Sequence, residues 1–205
     1  DTEIEVSAAF FYSEEYQQTG DFVYRMYEGG LGRQSDYAEL NSDRSRIVSA
    51  ANTDEGRRGF ADAFVRRAEF IEKYSNATSA DSFVTALTES MRQSSGVNLS
   101  AQRDSLIARY NQGSDVNDSR SLALTDAINN TSFMQAEYNR SFVLIEYFGY
   151  LKRNADSGGY NFWLDVLNNR VQGNYRSMVC AFLTSSEYQR RFSSVVTHSN
   201  SECRD

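Results

Sequence analysis

The sequence of 205 residues predicts an all-α fold built from tandem repeats of about 60 residues, each with about three helices. Three observations support this prediction. First, two short phrases recur in the sequence. One is Ala-Phe-x-x-x-x-Glu-aromatic, and the other is Phe-Val, which recurs at intervals of about 60 residues. These phrases begin at Ala9, Ala63 and Ala181, and at Phe22, Phe83 and Phe142. Second, apolar residues follow helical spacing. Third, the alternation of β-branched residues that is typical of strands is scarce.

The helical elements are clearest towards the end of the chain. Apolar residues lie three and four positions apart between residues 142 and 151, between 162 and 167, and between 178 and 188. The polar run from 154 to 159 predicts a turn between the first two of these helices. Earlier in the chain, Ser79 or Asp81 can cap the helix that contains Phe83, and Ser100 can cap a helix over 101–110.

The recurring phrases divide the chain into units at 22–72, 83–139 and 142–192, of which the middle unit is the most degenerate. Segment 1–20 ends with the phrase that closes a unit. It therefore resembles the second half of an incomplete repeat, and 193–205 forms a tail. The outer units match in detail, because three residues recur 120 positions later (147 − 27 = 120): Tyr27, Leu31 and Arg33 recur as Tyr147, Leu151 and Arg153. We expect the chain to be part of a longer protein.

Composition excludes several functional classes. The formal net charge is −7 and basic residues are not gathered into a patch, so nucleic acid is not an expected partner. No stretch approaches the ~20 apolar residues that a membrane span needs. The single histidine, His198, cannot supply a histidine-based triad or a multi-histidine metal site. Nucleotide-binding glycine motifs and a nucleophile elbow are also absent from the sequence. We therefore expect no enzymatic activity.

A glutamate recurs at one position of the closing phrase, at Glu15, Glu69 and Glu187. Repeated carboxylates can bind a metal or act as acids. The alternative is an ion pair with the arginine of the same unit, which would join the first helix of the unit to the last. We predict the structural pairs Arg33 with Glu69 and Arg153 with Glu187, and no catalytic residue.

Calcium is the one cofactor that the residues leave open. A calcium-loop template fits at positions 1, 3, 5 and 12 with Asp115, Asn117, Ser119 and Asp126. Arg120 stands where that template needs glycine, and position 12 should be glutamate. A second polar loop contains Asp156 and Asn161, which can hold an ion or can cap the helix that contains Phe162.

The two cysteines, Cys180 and Cys203, are compatible with a disulfide that fixes the tail to the last unit. A buried free Cys180 and a Cys203 bonded elsewhere fit the spacing equally well, because the sequence does not determine the distance between the two Cα atoms.

Residues 149–168 and 178–192 carry a resemblance to a known family. The first segment is similar to the pattern Tyr-x-x-x-Leu-Gly-Arg-x-Pro-Asp-x-x-Gly-x-x-x-Trp, and the second to Ala-Phe-x-x-Ser-x-Glu-Phe. These patterns are typical of the domain-of-unknown-function family DUF4214. The chain departs from them at Ala155, where the family has proline, and at Lys152, where it has glycine.

The resemblance implies tandem helical modules attached to large secreted or surface bacterial proteins. The whole chain is similar to the C-terminal portion of extracellular proteins from Acidobacteria-like genomes. An extracellular or cell-surface location is therefore expected. The resemblance also implies that Trp163 is a core aromatic residue. It implies no activity, because none is established for the family.

Two functions remain after these exclusions. The first is a structural and protein-interaction module that assembles a surface or secreted complex, as a filament or a multi-subunit assembly, with copies of itself or with neighbouring subunits. The second is a module that binds surface polysaccharide, with rings such as Trp163, Tyr160 and Tyr175 stacked on sugars. An enzyme built on paired carboxylates would need two acids close together in a cleft, which the sequence does not show.

Overall fold

The computed structural model describes residues 14–192, which form helices and no strands. The predicted all-α class is confirmed for these residues. The tail at 193–205 and most of segment 1–20 lie outside the described residues. The helices are α1 Glu14–Gln18, α2 Gly20–Leu31, α3 Tyr37–Val48, α4 Thr53–Val65, α5 Ala68–Lys73, α6 Ala80–Ser95, α7 Arg103–Tyr110, α8 Val116–Ile128, α9 Thr131–Glu146, α10 Ser157–Asp165, α11 Tyr175–Leu183 and α12 Ser186–Arg191. A 3₁₀ turn spans Ser100–Gln102, and π-helical segments span Tyr147–Leu151 and Val166–Arg170.

The chain forms two compact units. The large unit comprises residues 18–138 and contains α2 to α8. Within the described residues, the small unit comprises 14–17 and 139–192 and contains α10 to α12. No helix within residues 14–192 is long and apolar enough to cross a membrane.

A continuous aromatic cluster forms the core of the large unit. Phe22 and Phe83, which open two of the Phe-Val phrases, are both fully buried. Ring centroids lie 4.6–6.3 Å apart along the series Phe22, Phe60, Phe64, Phe70, Tyr74 and Phe83. Such edge and tilted contacts suit aromatic rings, and their burial supplies most of the energy of a helical core.

The core of the small unit repeats this chemistry. Phe142 and Val143 are buried on α9, and Tyr147 is buried in the π-helical segment that follows it. Tyr147 meets Phe182 of α11 edge to face, with ring centroids 4.9 Å apart. Phe182 belongs to the third Ala-Phe phrase, so the recurring phrases lie in the core of this unit too.

The N-terminal caps of several helices agree with the sequence, and one does not. Ser79 caps α6 through a capping box with Ser82, as one of the two predicted caps. Ser100 does not cap α7, which begins at Arg103. The side chain of Asn98 instead accepts a hydrogen bond from the Ser100 N–H at 2.9 Å, and this local bond turns the chain before α7 starts.

The predicted border between the second and third repeats falls inside a helix. α9 runs from Thr131 to Glu146 without interruption, although 83–139 and 142–192 were expected to be separate units. The reason is local, because no glycine or proline occurs between residues 131 and 148 to end the helix. Segment 22–72 contains four helices, α2 to α5, and the division of the chain into repeats stays a prediction.

Two glycines of α4 have opposite surroundings. A Cβ atom at Gly56 would lie 2.4 Å from the carbonyl oxygen of Ile47, so Gly56 allows α3 and α4 to approach closely. A Cβ atom at Gly59 would meet nothing within 4 Å. Close packing therefore explains why residue 56 is glycine. No packing contact among the described residues requires glycine at Gly59.

We predict opposite effects on stability for the same substitution at these two positions. Gly56→Ala should lower the free energy of unfolding by about 1–3 kcal/mol, because the methyl group overlaps α3. Gly59→Ala should raise it by up to about 1 kcal/mol, because alanine favours a helix interior. Urea unfolding of both variants measures the difference. Shifts of the same sign and size would contradict the packing described for α4.

Candidate functional site

In the large unit an arginine joins the end of α2 to the start of α5, and in the small unit an arginine joins the end of the π-helical segment after α9 to the start of α12. Arg33 donates from Nε and Nη2 to the carboxylate of Glu69 at 2.7 and 2.8 Å. Arg153 donates from the same two atoms to Glu187 at 2.8 and 3.0 Å. The structure therefore brings together the residues of both predicted ion pairs, each in the two-pronged geometry that a guanidinium makes with a carboxylate.

Both arginines also cover a tyrosine ring. The guanidinium carbon lies 5.0 Å from the ring centroid of Tyr27 in the large unit and 5.2 Å from that of Tyr147 in the small unit. Each tyrosine meets a phenylalanine of the closing phrase edge to face: Tyr27 meets Phe64 at 5.1 Å and Tyr147 meets Phe182 at 4.9 Å. We call this arrangement the tyrosine lock.

The hydrogen bonds from the two arginines change the pKa values of the carboxylates that accept them. Hydrogen bonds from Arg33 lower the pKa of Glu69, and those from Arg153 lower the pKa of Glu187. Glu39 accepts two further bonds from Arg33, at 2.8 and 3.0 Å, which also lower its pKa. A carboxylate that arginine keeps ionised is a poor general acid. The geometry of these Arg–Glu pairs therefore favours a structural role.

The large unit contains a buried polar network that sequence reasoning missed. The Tyr27 hydroxyl donates to Asp43 at 2.8 Å, and Arg67 donates to the Tyr27 oxygen at 2.5 Å and to Asp43 at 2.6 Å. Burial is the largest reason why the pKa of Tyr27 is raised, so its hydroxyl stays protonated. A signal was available, because Asp43 shares helical spacing with the buried Leu40 and Ile47.

The predicted metal ligands are occupied elsewhere or lie apart. Asp115 caps α8 by accepting from the N–H groups of residues 117 and 118 at 2.8 and 2.9 Å. Asp126 lies on α8 about 16 Å further along the helix axis, so these two residues do not form a calcium loop. Asp156 caps α10 by accepting from the Gly159 N–H at 2.8 Å, and Asn161 is exposed. Within residues 14–192, no three His, Cys, Asp or Glu side chains cluster as a metal site.

Trp163 packs against the core of the small unit and is partly buried. Its ring centroid lies 6.0 Å from that of Phe182. Its assignment as a core aromatic residue stays a prediction. None of the residues of α10 is fully buried. α10 contacts the core of the small unit through the Trp163 ring and at Gly159, where a Cβ atom would overlap the Tyr147 hydroxyl.

Exposed apolar side chains lie next to Trp163 in the sequence and just after the π-helical segment that follows α10. Phe162 is 48% exposed and meets Trp163 edge to face at 5.2 Å, and Val171 is 50% exposed. Arg170 lies over the Phe162 ring at 5.6 Å and pairs with Asp165 at 2.6 Å. We call these five residues the α10 face. It is the candidate functional site of the small unit.

Cys180 is buried in α11 and takes part in a disulfide. Cys203 lies outside the described residues, so its pairing with Cys180 stays a prediction.

A buried carboxyl group lies where α9 becomes π-helical. Glu146 is fully buried, and neither of its carboxylate oxygens has a hydrogen-bond partner in the described structure. Burial raises the pKa of Glu146 well above its usual range, so the group is protonated more readily in the folded state. The residue 120 positions earlier (146 − 26 = 120) is the fully buried Met26, which shows that the fold does not require an acid here.

Comparison with known proteins supports the resemblance seen in the sequence. The family model for a domain of unknown function (DUF4214) matches residues 125–192, and the suspected family is thereby confirmed for that segment. The matched segment includes α10 and the tyrosine lock of the small unit. No curated protein and no solved structure matches the chain.

We predict that Glu146→Met stabilises the protein by about 1–3 kcal/mol at neutral pH, because it removes an unpaired buried polar group. The folded state binds the Glu146 proton more tightly than the unfolded state. Wild-type stability therefore falls as pH rises from about 4.3, the unfolded value, through the raised folded pKa. The difference in free energy of unfolding between Glu146→Met and the wild type should therefore become smaller as the pH is lowered towards 4.5. Urea unfolding across this range measures it, and a gain that does not change with pH would show that Glu146 is not protonated on folding.

Proposed function

We propose that the chain is a non-enzymatic structural and protein-interaction module that helps to assemble a surface or secreted complex through the α10 face. The observation that carries the proposal is the exposed ring of Phe162, which lies edge to face on the partly buried ring of Trp163. Aromatic residues and arginine are enriched where proteins bind each other, and Arg170 lies over the same ring surface.

The large unit supplies an internal comparison. The positions 120 residues before Phe162 and Trp163 are Ser42 and Asp43, on α3. Ser42 is exposed, so a second helix of this kind forms with a small polar residue where α10 has phenylalanine. The exposed aromatic ring is therefore not needed to build the fold, which favours a role in binding.

The charges at the rim of the α10 face favour a second copy of the chain as partner. Asp165 and Arg170 lie side by side, with 40% and 61% of their side chains exposed. In a two-fold symmetric pair, each surface meets itself, so Asp165 of one copy can face Arg170 of the other while the aromatic rings pack between them. A neighbouring subunit with a similar apolar surface would use the same chemistry.

We also infer that segments 22–72 and 142–192 derive from one repeat of about 60 residues. The tyrosine locks support this, because their residues recur at offsets of 120 and 118 positions (153 − 33 and 187 − 69) with the same contacts. The backbone agrees as well: Gly32 and Lys152, also 120 positions apart, both end a helix with positive φ, at 72° and 51°.

An extracellular or cell-surface location belongs to the same proposal. The disulfide of Cys180 supports it, because disulfides persist mainly in oxidising compartments. The resemblance to modules of secreted proteins points the same way.

Binding of a surface polysaccharide is the second candidate function. The half-buried ring of Trp163 favours it, since a partly exposed indole can stack on a sugar. Tyr175 is less suited, because its hydroxyl donates to Asn139 at 2.6 Å and its ring packs on Phe142 at 4.8 Å.

We predict that the wild-type chain self-associates as its concentration rises and that Phe162→Ser weakens this association by about thirtyfold, as for a central aromatic contact worth about 2 kcal/mol. Light scattering and sedimentation velocity measure the mass. Val48→Ser is the matched control, because Val48 is 52% exposed on α3 and its substitution should leave the association unchanged.

A wild-type chain that remains a monomer at all concentrations would contradict self-assembly. If that monomer bound a polysaccharide and Trp163→Ala abolished the binding, the second candidate would replace the first. Equal effects of Phe162→Ser and Val48→Ser would exclude the α10 face as the specific contact.

A further inference from the structure

Glu146 is a buried carboxyl group that the proposed function does not use. It is fully buried in the small unit, and neither of its carboxylate oxygens has a hydrogen-bond partner in the described structure. Buried polar groups normally pair, so an exception needs an explanation. An unpaired carboxylate in such a place is costly, and the group must therefore either keep its proton or gain contact with water.

The backbone changes its geometry directly after this residue. α9 ends at Glu146, and the π-helical segment begins at Tyr147. The matching residue of the large unit is Met26, which is fully buried, and α2 continues there as a regular α-helix from Gly20 to Leu31. π-helical turns are rare and are often found at functional sites. The buried acid and the π-helical turn thus occur together in the small unit, and α2 has neither at the matching positions.

The π-helical segment after α9 contacts α10, α11 and α12. Tyr147 meets Phe182 of α11 edge to face, with ring centroids 4.9 Å apart. Tyr150 meets Tyr188 of α12 at 5.9 Å. On α10, a Cβ atom at Gly159 would overlap the Tyr147 hydroxyl, so α10 lies directly against the same segment. A change in this segment therefore reaches all three helices.

No charged side chain of the described residues compensates a charge on Glu146. The small unit and α9 carry charges of both signs, namely Glu137 and Arg140 on α9, Lys152 and Arg153 after the π-helical segment, Asp156 and Asp165 at the two ends of α10, Arg170 after α10, Arg176 on α11, and Glu187, Arg190 and Arg191 on α12. Asp156, Arg153 and Glu187 act on Tyr147. Burial is the single cause of the raised pKa of Glu146, so none of these charges offsets it.

We propose that Glu146 is a proton-linked switch: the small unit stays closed while the carboxyl holds its proton and opens at α10 to α12 when the carboxyl ionises. The proton passes to water, and the carboxylate gains the hydration that it lacks in the closed unit. The large unit has Met26 at the matching position and does not respond. This switch is a property of the small unit alone, and it does not depend on contact between copies.

The direction of the response follows from proton linkage. The closed unit binds the Glu146 proton more tightly than the open unit, in which the carboxyl has its ordinary pKa of about 4.3. Above that pH, the equilibrium constant for opening rises about tenfold per pH unit, and it levels off once the pH exceeds the raised pKa of the closed unit. Acidic conditions therefore hold the unit closed, and rising pH releases it.

Hydrogen exchange of the full chain in dilute solution, from about pH 5 to about pH 8, tests the switch. Protection factors are compared, because they correct for the intrinsic change of exchange rate with pH. We expect the protection of α11, Tyr175–Leu183, to fall by about tenfold per pH unit before it levels off. The protection of α2, Gly20–Leu31, should stay constant.

Two substitutions of Glu146 assign the response to its carboxyl group. Glu146→Gln removes the charge and keeps the size of the side chain, so the protection of α11 should no longer change with pH. Glu146→Met introduces the residue of the large unit and should give the same result, which covers the case in which glutamine is not tolerated. Glu72→Gln is the matched control, because Glu72 is exposed on α5. It removes the same charge and should keep the wild-type response.

Constant protection of α11 in the wild type would overturn the proposal. A pH response that persists in both Glu146 variants would overturn it too, as would a response of equal size in α2 and α11. None of these outcomes bears on the α10 face, because the measurement is made on the dilute chain.

Discussion

Both units depend on a tyrosine ring enclosed between an arginine and a phenylalanine. Tyr27 and Tyr147 are buried, and each holds the first helix of its unit against the helix that carries the closing phrase. Burial of an aromatic ring is worth several times the energy of an exposed ion pair. The ring therefore supplies most of the stability. The arginine, which is about one-third exposed in both units, sets the direction in which the chain leaves the first helix.

Both units contain the tyrosine lock, but the next helix along the chain, α3 in the large unit and α10 in the small unit, differs between them. In the large unit this helix carries the buried Asp43, which accepts hydrogen bonds from Tyr27 and Arg67. In the small unit the matching position is Trp163, and the neighbouring Phe162 faces solvent. A buried polar network favours a single packing arrangement, whereas an exposed aromatic ring such as that of Phe162 is available for a contact with another surface. We interpret the large unit as the more rigid scaffold and the small unit as the part that presents a contact surface.

The sequence predicts the helices and the Arg–Glu pairs because both follow from local spacing and from repetition. Arg33 and Glu69 lie in the same relation as Arg153 and Glu187, so repetition alone indicates that the pairs are structural. Other features depend on neighbours that the pattern does not reveal. The apolar spacing around Trp163 predicts a helix, but nothing in it shows that the neighbouring Phe162 ring is exposed. Glu146 resembles a surface charge until the surrounding helices are placed.

The central claim is that the α10 face makes the contact between copies. Hydrogen exchange of the wild-type chain, compared between dilute and concentrated solution, tests it most directly. The account predicts that concentration slows exchange in the amides of residues 157–171 and leaves the matching α3, residues 37–48, unchanged. Protection that appears in α3 instead, or no dependence on concentration in 157–171, would contradict it.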